Sequence, residues 1–468
     1  MLFSKKHNTV LLTVISSVLY FYTAYFLERA NFSILLFLWC ALFGSTYFLW
    51  KKNQHNFQLL VGISILFRLI FLFATPNLSQ DFYRFIWDGR MILEGLNPYL
   101  SLPENFIEQQ KYPVNEALSL YKGMGEMNGS HYTNYPPINQ LCFLIAAIFA
   151  NKSILGSVIV MRIIIILADI GILYFGKKLL EKLKLPIQNI FFYALNPFII
   201  IEMTGNLHFE SVMLLFLIWS LYQLQQQKWI WAALLLACSV TVKLIPLLFL
   251  PLFFQWFIKS DTHVFFKNKS IKNILLDVSI LKLITFYGII FIIIIGLFLP
   301  FYSPILTSNY SNSVGLWFRN FEFNASFYYI FREIGYLFRG YNEIVIIGQI
   351  TPFLTVLFLM IITFLRKNKS MIELITAMLF GLSFYYFTTT TMHPWYIATL
   401  LILSIFTKYQ FPIVWSIVII LSYQAYSNEP WKENLWFIIL EYTIVYSYLI
   451  WELFIKKPTQ KIEWEKLL

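Results

Sequence analysis

Long runs of apolar residues recur along the whole chain, and short polar segments separate them. Examples are Val10–Phe26, Ser33–Trp50, Leu59–Phe73, Ile284–Leu299 and Val345–Leu365. Each run approaches the roughly 20 residues that an α-helix needs to cross the hydrocarbon core of a bilayer. The pattern predicts an all-α integral membrane protein, a polytopic helical bundle of about 12–14 transmembrane helices that forms a single domain.

Composition supports this class. Hydrophobic residues make up 59% of the 468 residues and charged residues 13%, whereas soluble domains carry roughly a quarter charged residues. The net charge of +11 does not indicate nucleic acid, because the basic residues stand in short connectors between apolar runs, as the positive-inside bias produces. Cys40, Cys142 and Cys238 lie inside apolar stretches without paired spacing, which indicates small buried side chains rather than a disulfide frame or a metal site.

The positions of the lysines predict which segments face outward. Lys5 and Lys6 place the amino terminus in the cytoplasm, two helices return the chain to Lys51 and Lys52, and the third run then exits. The long polar segment of residues 77–139 is therefore expected to be an extracytoplasmic catalytic loop. Later basic clusters extend the same parity, which sends four polar patches to the outer side and indicates a site there. These outer patches are Asp81–Tyr135, Glu202–Glu210, Ser311–Arg332 and Thr388–Trp395.

The first outer patch begins with a predicted amphipathic helix. Ser79 can cap this helix, and the positive end of its dipole favours an ionised Asp81 in the first turn. Spacings of three and four residues place Asp81, Arg84 and Asp88 on one face, and Gly95 ends the helix. The helix would direct a carboxylate toward the membrane boundary. In the alternative interpretation, Asp81 only complements the dipole, and Arg84 and Asp88 form a weak surface pair.

Short motifs follow one another in the outer patches between about residues 80 and 400. They are Asp81-x-Tyr83…Asp88-Gly89-Arg90…Gly95-x-Asn97-Pro98-Tyr99, Tyr135-Pro136-Pro137, Asn196-Pro197…Glu202…Gly205-Asn206-Leu207-His208-Phe209-Glu210, Lys243-x-x-Pro246 and His393-Pro394-Trp395-Tyr396. In order and sidedness the set resembles the GT-C glycosyltransferases. It is most similar to the polyprenol-phosphate-mannose-dependent mannosyltransferases of glycosyltransferase family 87 and to glycosylphosphatidylinositol mannosyltransferase I.

This resemblance implies a specific reaction. A hexose, mannose in these families, would pass with inversion from a polyprenyl-phosphate-sugar donor to an extracytoplasmic glycolipid or glycan acceptor, with Asp81 as general base. The expected partners are these substrates and membrane lipid, without nucleic acid or a cofactor. Some relatives carry an Asp-x-Asp pair where this chain has Ser79-x-Asp81. We therefore expect no metal at this loop.

The same chemistry can be argued without the resemblance. Displacing a lipid phosphate from an anomeric carbon needs a base for the acceptor hydroxyl, cations for the departing phosphate and an apolar slot for the lipid tail. The catalytic candidates are Asp81, Asp88, Glu202 and Glu210. The candidates for binding the donor and its phosphate are Arg84, Arg90, Tyr135, His208, Lys243, Arg319 and His393.

Some of these residues have a second interpretation. Glu202, at the end of an apolar run, either borders the site or bonds a neighbour, and Lys243 either serves the site or extends to the interface. Arg162 and Asp169, seven residues apart, are expected to form a structural pair within the membrane. Trp395 is expected to belong to an interfacial aromatic belt.

Two other functions remain open. A lipid-linked polysaccharide polymerase or ligase would also need outer arginine and histidine. A membrane transporter would place ionisable residues near the midplane of the bilayer, whereas here they concentrate on one side. The high content of lysine, asparagine and isoleucine favours an AT-rich bacterial genome. We therefore expect a protein of the bacterial cytoplasmic (inner) membrane whose active site faces the periplasm or the outside.

Overall fold

The first three helices follow the first three apolar runs of the chain. They are α1 (Leu2–Tyr25), α2 (Phe32–Asn53) and α3 (Phe57–Ile70). The structure is a computed structural model, and it describes residues 2–259, 277–319 and 321–456. The side chains of Asn31 and Asn56 each accept a hydrogen bond from the backbone N–H three residues further on, which starts α2 and α3. Helices α1 and α2 pack as a hairpin.

The polar segment of residues 77–139 and the apolar run that follows it fold into four shorter helices. They are α4 (Asp81–Leu93), α5 (Pro103–Glu108), α6 (Ala117–Gly129) and α7 (Pro137–Ala150). Helix α4 begins at Asp81, one residue later than a cap at Ser79 predicts, and it ends at Leu93, before Gly95 as predicted; Gly95 has a φ of +75°, which favours glycine. The predicted position of Asp81 in the first turn is confirmed.

Helix α4 is embedded in protein rather than lying at a membrane interface. Its apolar residues Phe82, Phe85 and Ile86 are all buried. Helix α7 packs directly against α4, and a Cβ atom at Gly89 would lie 2.2 Å from the backbone oxygen of Phe143. The amphipathic pattern is therefore covered by a neighbouring helix, because a glycine allows the two backbones to approach closely.

The rest of the described chain is also mainly helical. The further α-helices are α8 (Ile154–Leu183), α9 (Phe191–Ala194), α10 (Pro197–Ile199), α11 (Glu210–Gln225), α12 (Trp229–Val242), α13 (Phe253–Ile258), α14 (Val278–Phe298), α15 (Leu306–Arg319), α16 (Phe327–Arg339), α17 (Ile344–Leu365), α18 (Met371–Thr388), α19 (Ile397–Ser404), α20 (Phe411–Val418) and α21 (Leu435–Ile450). Segments of 3-10 or π helix lie at Ile187–Ile190, Ile200–Gly205, Ile245–Leu252, Leu299–Phe301, Pro394–Tyr396, Ile419–Ser427 and Trp451–Ile455. The predicted all-α, polytopic class is confirmed.

The number of membrane crossings depends on which helices are long enough to span a bilayer. Within the described ranges, seven helices are long and apolar enough to cross a membrane, or eight if one bent pair is a single span. Six further apolar helices have 10–17 residues. The count of about 12–14 depends on how many of these shorter helices also cross, and it stays a prediction.

The bent pair places two site candidates at a break in a helix. Pro197–Gly205 and Glu210–Gln225 meet at 115°. His208 lies in the break, and Glu210 begins the second half. Irregular backbone at membrane depth is tolerated where it is buried in protein or lines a cavity.

The expected pair between Arg162 and Asp169 is wrong. Asp169 accepts a 2.7 Å bond from the Nε of Arg68. Arg162 instead donates to four backbone carbonyls, those of Leu72, Ala74, Thr204 and Gly205. Two helical turns separate residues seven apart, so each side chain reaches a different neighbour. Arg162 thereby holds together the segments that lead to Asp81 and to His208.

Candidate active site

A cavity of about 630 Å³ lies where the four outer patches meet. Its lining includes Asp81, Asn128 and Tyr135 from the first patch, Asn139 just beyond that patch, His208 and Glu210 from the second, Val314 and Phe321 from the third, and His393 and Trp395 from the fourth. Lys243 lines it as well. Segments far apart in sequence thus contribute to one space, as their predicted common side requires.

Asp81 lies at the amino-terminal end of α4, on the wall of the cavity. The hydroxyl of Ser79 accepts a 3.3 Å bond from the backbone N–H of Asp81. The N-cap position itself belongs to Gln80, whose side chain makes no capping bond. Among the described side chains, Asn128 supplies the one hydrogen bond to the carboxylate, at 3.4 Å. Asp81 therefore keeps capacity to accept a further proton or hydrogen bond.

The surroundings of Asp81 make it more basic than an ordinary aspartate. Burial raises the pKa of its carboxyl group, because the charged form loses solvation. Lys243, Asn128 and Arg29 each lower the pKa again, but by less. The net effect is a carboxylate that stays in reach of two cations and binds a proton more readily than usual.

Glu210 and Lys243 form an ion pair in the wall of the same cavity. The carboxylate is 3% exposed and the ammonium 19% exposed. Lys243 follows the end of α12 with extended backbone, which turns its side chain back toward the first turn of α11. Of the two interpretations of Lys243, the structure supports the one in which it belongs to the site.

Three rings stack along one part of the cavity. Trp395 lies between His208 and His393, with ring-centroid distances of 3.9 and 4.5 Å and interplanar angles of 18° and 5°. This stacking shows what Trp395 contacts in the cavity wall, and its expected place in an interfacial belt stays a prediction. The 3-10 turn at Pro394–Tyr396 carries this indole inward, where it packs against both imidazoles.

Glu202 lies behind the cavity wall and does not line it. It is fully buried, and it accepts a 2.6 Å bond from the hydroxyl of Tyr423 and a 3.3 Å bond from the amide of Asn206. His208 Nε2 lies 3.6 Å from its second oxygen. Glu202 thus bonds its neighbours, one of the two alternatives that its sequence position left open.

Arg84 and Asp88 also lie outside the cavity lining. Arg84 Nε donates to Asp88 at 2.8 Å, and the two side chains are 5% and 0% exposed, so the surface-pair interpretation is wrong. Gln140 donates a second bond to Asp88, at 3.0 Å. Arg84 further donates to the backbone carbonyls of Asn128 and His131. The pair therefore connects α4 to the segment that carries Asn128.

The remaining candidates also differ in whether they line the cavity. Arg90 is held away from the cavity by the carbonyl of Asn115 and by the carboxylate of Glu116 at 3.0 Å. Tyr135 lines the cavity. The side chain of Arg319 lies outside the described part of the chain. Among the described residues, no group of three or more histidine, cysteine, aspartate or glutamate residues is arranged to hold a metal ion.

Sequence reasoning missed several residues of the cavity. Arg29, in the turn between α1 and α2, lines it with its guanidinium carbon 3.3 Å from the ring centroid of Tyr426. Its Nε is buried without a hydrogen-bond partner in the described residues. The positions of the lysines predict that this turn lies on the outer side, so the charge of Arg29 was a usable signal. Tyr426 and Asn139, by contrast, have no comparable signal in the sequence.

The chain can now be compared with known families. Residues 5–259 match the family model described as "Alpha-(1->6)-mannopyranosyltransferase, N-terminal domain". No curated protein matches the chain. An all-helical, multi-pass bundle with this match is a membrane glycosyltransferase of the GT-C kind, which confirms the resemblance seen in the motifs.

The match covers more than half of the 468 residues. The chain therefore belongs to the alpha-(1->6)-mannopyranosyltransferase family. The matched region contains Asp81, His208, Glu210 and Lys243, while His393 and Trp395 complete the cavity from beyond it.

Proposed function

We propose that this mannosyltransferase transfers mannose from a polyprenyl-phosphate-mannose donor to an extracytoplasmic glycolipid or glycan acceptor, with inversion, and forms an α-1,6 linkage. One observation carries the proposal. The cavity combines a sparsely bonded carboxylate, Asp81, with two cations, Arg29 and Lys243, whose charges act on it. A base opposite cations is what attack by a hydroxyl on a sugar phosphate requires.

In this mechanism Asp81 takes the proton of the acceptor hydroxyl as that oxygen attacks the anomeric carbon. The bond from this carbon to the donor's phosphate oxygen breaks, and its electron pair leaves with the lipid phosphate. Arg29 and Lys243 offset the charge that the phosphate gains. Glu210 is the weaker candidate for the base, because it already holds Lys243.

The other candidates receive supporting roles. We assign Asp88, Arg84, Arg90 and Glu202 to positioning, since their polar groups are engaged by protein and none lines the cavity. Tyr135, His208 and His393 line the cavity and remain candidates for donor contact.

The proposal also includes a binding region for the donor's lipid tail and a cellular location for the enzyme. Met213, Leu244 and Ile245 give one part of the cavity an apolar lining that suits an isoprenoid chain next to membrane lipid. The lysines of the connectors favour an outward-facing site. We therefore place the enzyme in a bacterial inner membrane with the cavity open to the periplasm or the outside.

A transfer assay in sealed vesicles tests donor and sidedness together. We expect the purified protein, with polyprenyl-phosphate-mannose in the bilayer, to elongate membrane-impermeant α-1,6-mannobiose only in vesicles whose periplasmic face is outward, without any ion gradient. Transfer from GDP-mannose at the cytoplasmic face, with none from the lipid donor, would overturn the proposal. A transporter would move substrate and form no new glycosidic bond.

A further inference from the structure

Asn139 is a buried amide in the wall of the cavity whose hydrogen-bonding groups are unused. It lies in the first turn of α7 and is 0% exposed. Neither its Nδ2 nor its Oδ1 has a hydrogen-bond partner among the described residues. The next residue, Gln140, differs in its donors, because its Nε2 donates to Asp88 and to Thr133, while its Oε1 has no partner among the described residues. Of two adjacent amides, one donates to protein, and the other, in a residue of the cavity wall, makes no hydrogen bond to the described residues.

An amide without partners is unfavourable in a folded protein. Removing it from water costs free energy unless hydrogen bonds replace those lost, and most buried amides have such bonds. Asn139 is therefore an exception that calls for a ligand, and the cavity that it lines can hold one.

The chemistry of the amide narrows the ligand. A primary amide presents two N–H donors and a carbonyl acceptor. Ionised phosphate oxygens only accept, and an isoprenoid chain does neither, so both would leave the carbonyl unpaired. A sugar hydroxyl both donates and accepts, so two neighbouring hydroxyls can satisfy the N–H and the C=O together.

The surroundings of Asn139 also suit a sugar. Phe85, Tyr135 and Phe209 line the same cavity, and the ring of Phe85 meets those of Tyr135 and Phe209 nearly at right angles, with centroids 5.0 and 5.7 Å apart. Aromatic walls with a few polar groups between them are typical of small-molecule sites, and the C–H face of a hexose packs against such rings.

We infer that Asn139 recognises a pair of neighbouring hydroxyls on a mannosyl unit and thereby helps to select the sugar. This inference rests on the proposed mannosyl transfer. Asn139 is a specificity residue, distinct from the base and from the cations that face the phosphate. The mannosyl unit belongs either to the donor or to the acceptor, and the same chemistry applies to both.

Deoxy sugars test the inference. Wild-type enzyme is assayed with polyprenyl-phosphate-mannose and its 2-, 3-, 4- and 6-deoxy analogues, and separately with deoxy analogues of the mannobiose acceptor. The acceptor analogues keep the attacking 6-hydroxyl, without which no bond can form. Removing any other hydroxyl that Asn139 binds should lower kcat/KM about tenfold or more, because it leaves the amide unpaired. Asn139→Leu should lower kcat/KM for the natural substrate by a similar factor and abolish the extra penalty at those positions. Penalties among the donors identify the donor sugar, and penalties among the acceptors identify the acceptor.

Two further variants keep the test decisive. Asn139→Asp preserves shape and the acceptor oxygens but loses both donors, so it should lose discrimination at one hydroxyl and keep it at the other. Asn105→Leu makes the same change as Asn139→Leu at an exposed position of the outer segment and should behave like wild type.

The two possible failures are distinct. If Asn139→Leu and Asn139→Asp keep the wild-type kcat/KM and the wild-type penalty at every deoxy position, the inference is overturned, and water serves the amide. If the wild-type enzyme makes no product from polyprenyl-phosphate-mannose, the proposed function itself fails.

Discussion

The first turn and the middle of helix α4 each carry an aspartate on the same face, and the two aspartates have different surroundings. Asp81, in the first turn, lines the cavity with one long hydrogen bond, 3.4 Å from Asn128. Asp88, two turns later, is fully buried and accepts bonds of 2.8 Å from Arg84 and 3.0 Å from Gln140. A carboxylate with its partners in place has little capacity for a substrate proton, whereas Asp81 retains that capacity.

The buried pair of Arg84 and Asp88 also supports the position of Asp81. Arg84, which holds Asp88, donates at the same time to the backbone carbonyl of Asn128, and the side chain of Asn128 bonds Asp81. The structural cluster thus fixes the residue that orients the proposed base. Catalytic groups need such support, because small displacements reduce the rate strongly.

The largest effect on turnover is expected for a substitution of Asp81, which lines the cavity. Asp81→Asn keeps the shape of the side chain but cannot take a proton, so kcat should fall by at least about a hundredfold while expression and donor binding stay near normal. Transfer of radiolabelled mannose measures kcat, and Glu210→Gln is the parallel variant. If Asp81→Asn keeps more than about a tenth of wild-type turnover while Glu210→Gln is inactive, the base lies in the second outer patch.

For a substitution of the buried Asp88, a loss of stability is expected rather than a large loss of turnover. Asp88→Leu leaves the guanidinium of Arg84 buried without its carboxylate, which should cost about 3–5 kcal/mol of stability. Thermal unfolding in detergent should show the loss, while the folded fraction keeps kcat within about tenfold.

The double variant Arg84→Met/Asp88→Leu provides the control, since it removes both charges. It should recover part of the stability lost in Asp88→Leu. An Asp88→Leu protein with wild-type stability but no turnover would instead make Asp88 a member of the catalytic machinery.

The smallest expected effect is a shift in the pH dependence of kcat/KM. The base must be ionised, and burial raises the pKa of Asp81, so kcat/KM should rise with pH through a value above that of an ordinary aspartate. Lys243 and Asn128 lower this pKa, Lys243 more strongly. Lys243→Met should therefore move the acid limb to higher pH, and Asn128→Leu should move it the same way by less. An acid limb that stays in place or moves to lower pH in Lys243→Met would contradict this assignment.

Much of the site followed from local sequence signals. The place of Asp81 in the first turn of α4, the end of this helix before Gly95 and a common side for four polar patches were all predicted, and the cavity draws residues from each patch. The spacing of Arg84 and Asp88 also predicted their contact. It could not show that both are buried, because burial depends on α7, whose Gln140 is 52 residues further on.

Other contacts had no local signal. Glu202 meets Tyr423 across 221 residues of sequence, and Trp395 lies between two imidazoles from different segments. Such contacts follow from how helices rotate against one another. The hydrophobic pattern of a helix that is apolar nearly all round leaves this rotation undetermined.

By itself the sequence determined that this chain is a polytopic, helical membrane protein. In a bilayer the backbone must satisfy its own hydrogen bonds, so an apolar run of sufficient length becomes a helix whatever its neighbours are. Only the tertiary structure decided which polar groups are engaged and which remain available, as Gln140 and Asn139 illustrate. Hydrogen bonds require atoms to lie about 3 Å apart in a suitable direction, and packing between distant segments sets those distances.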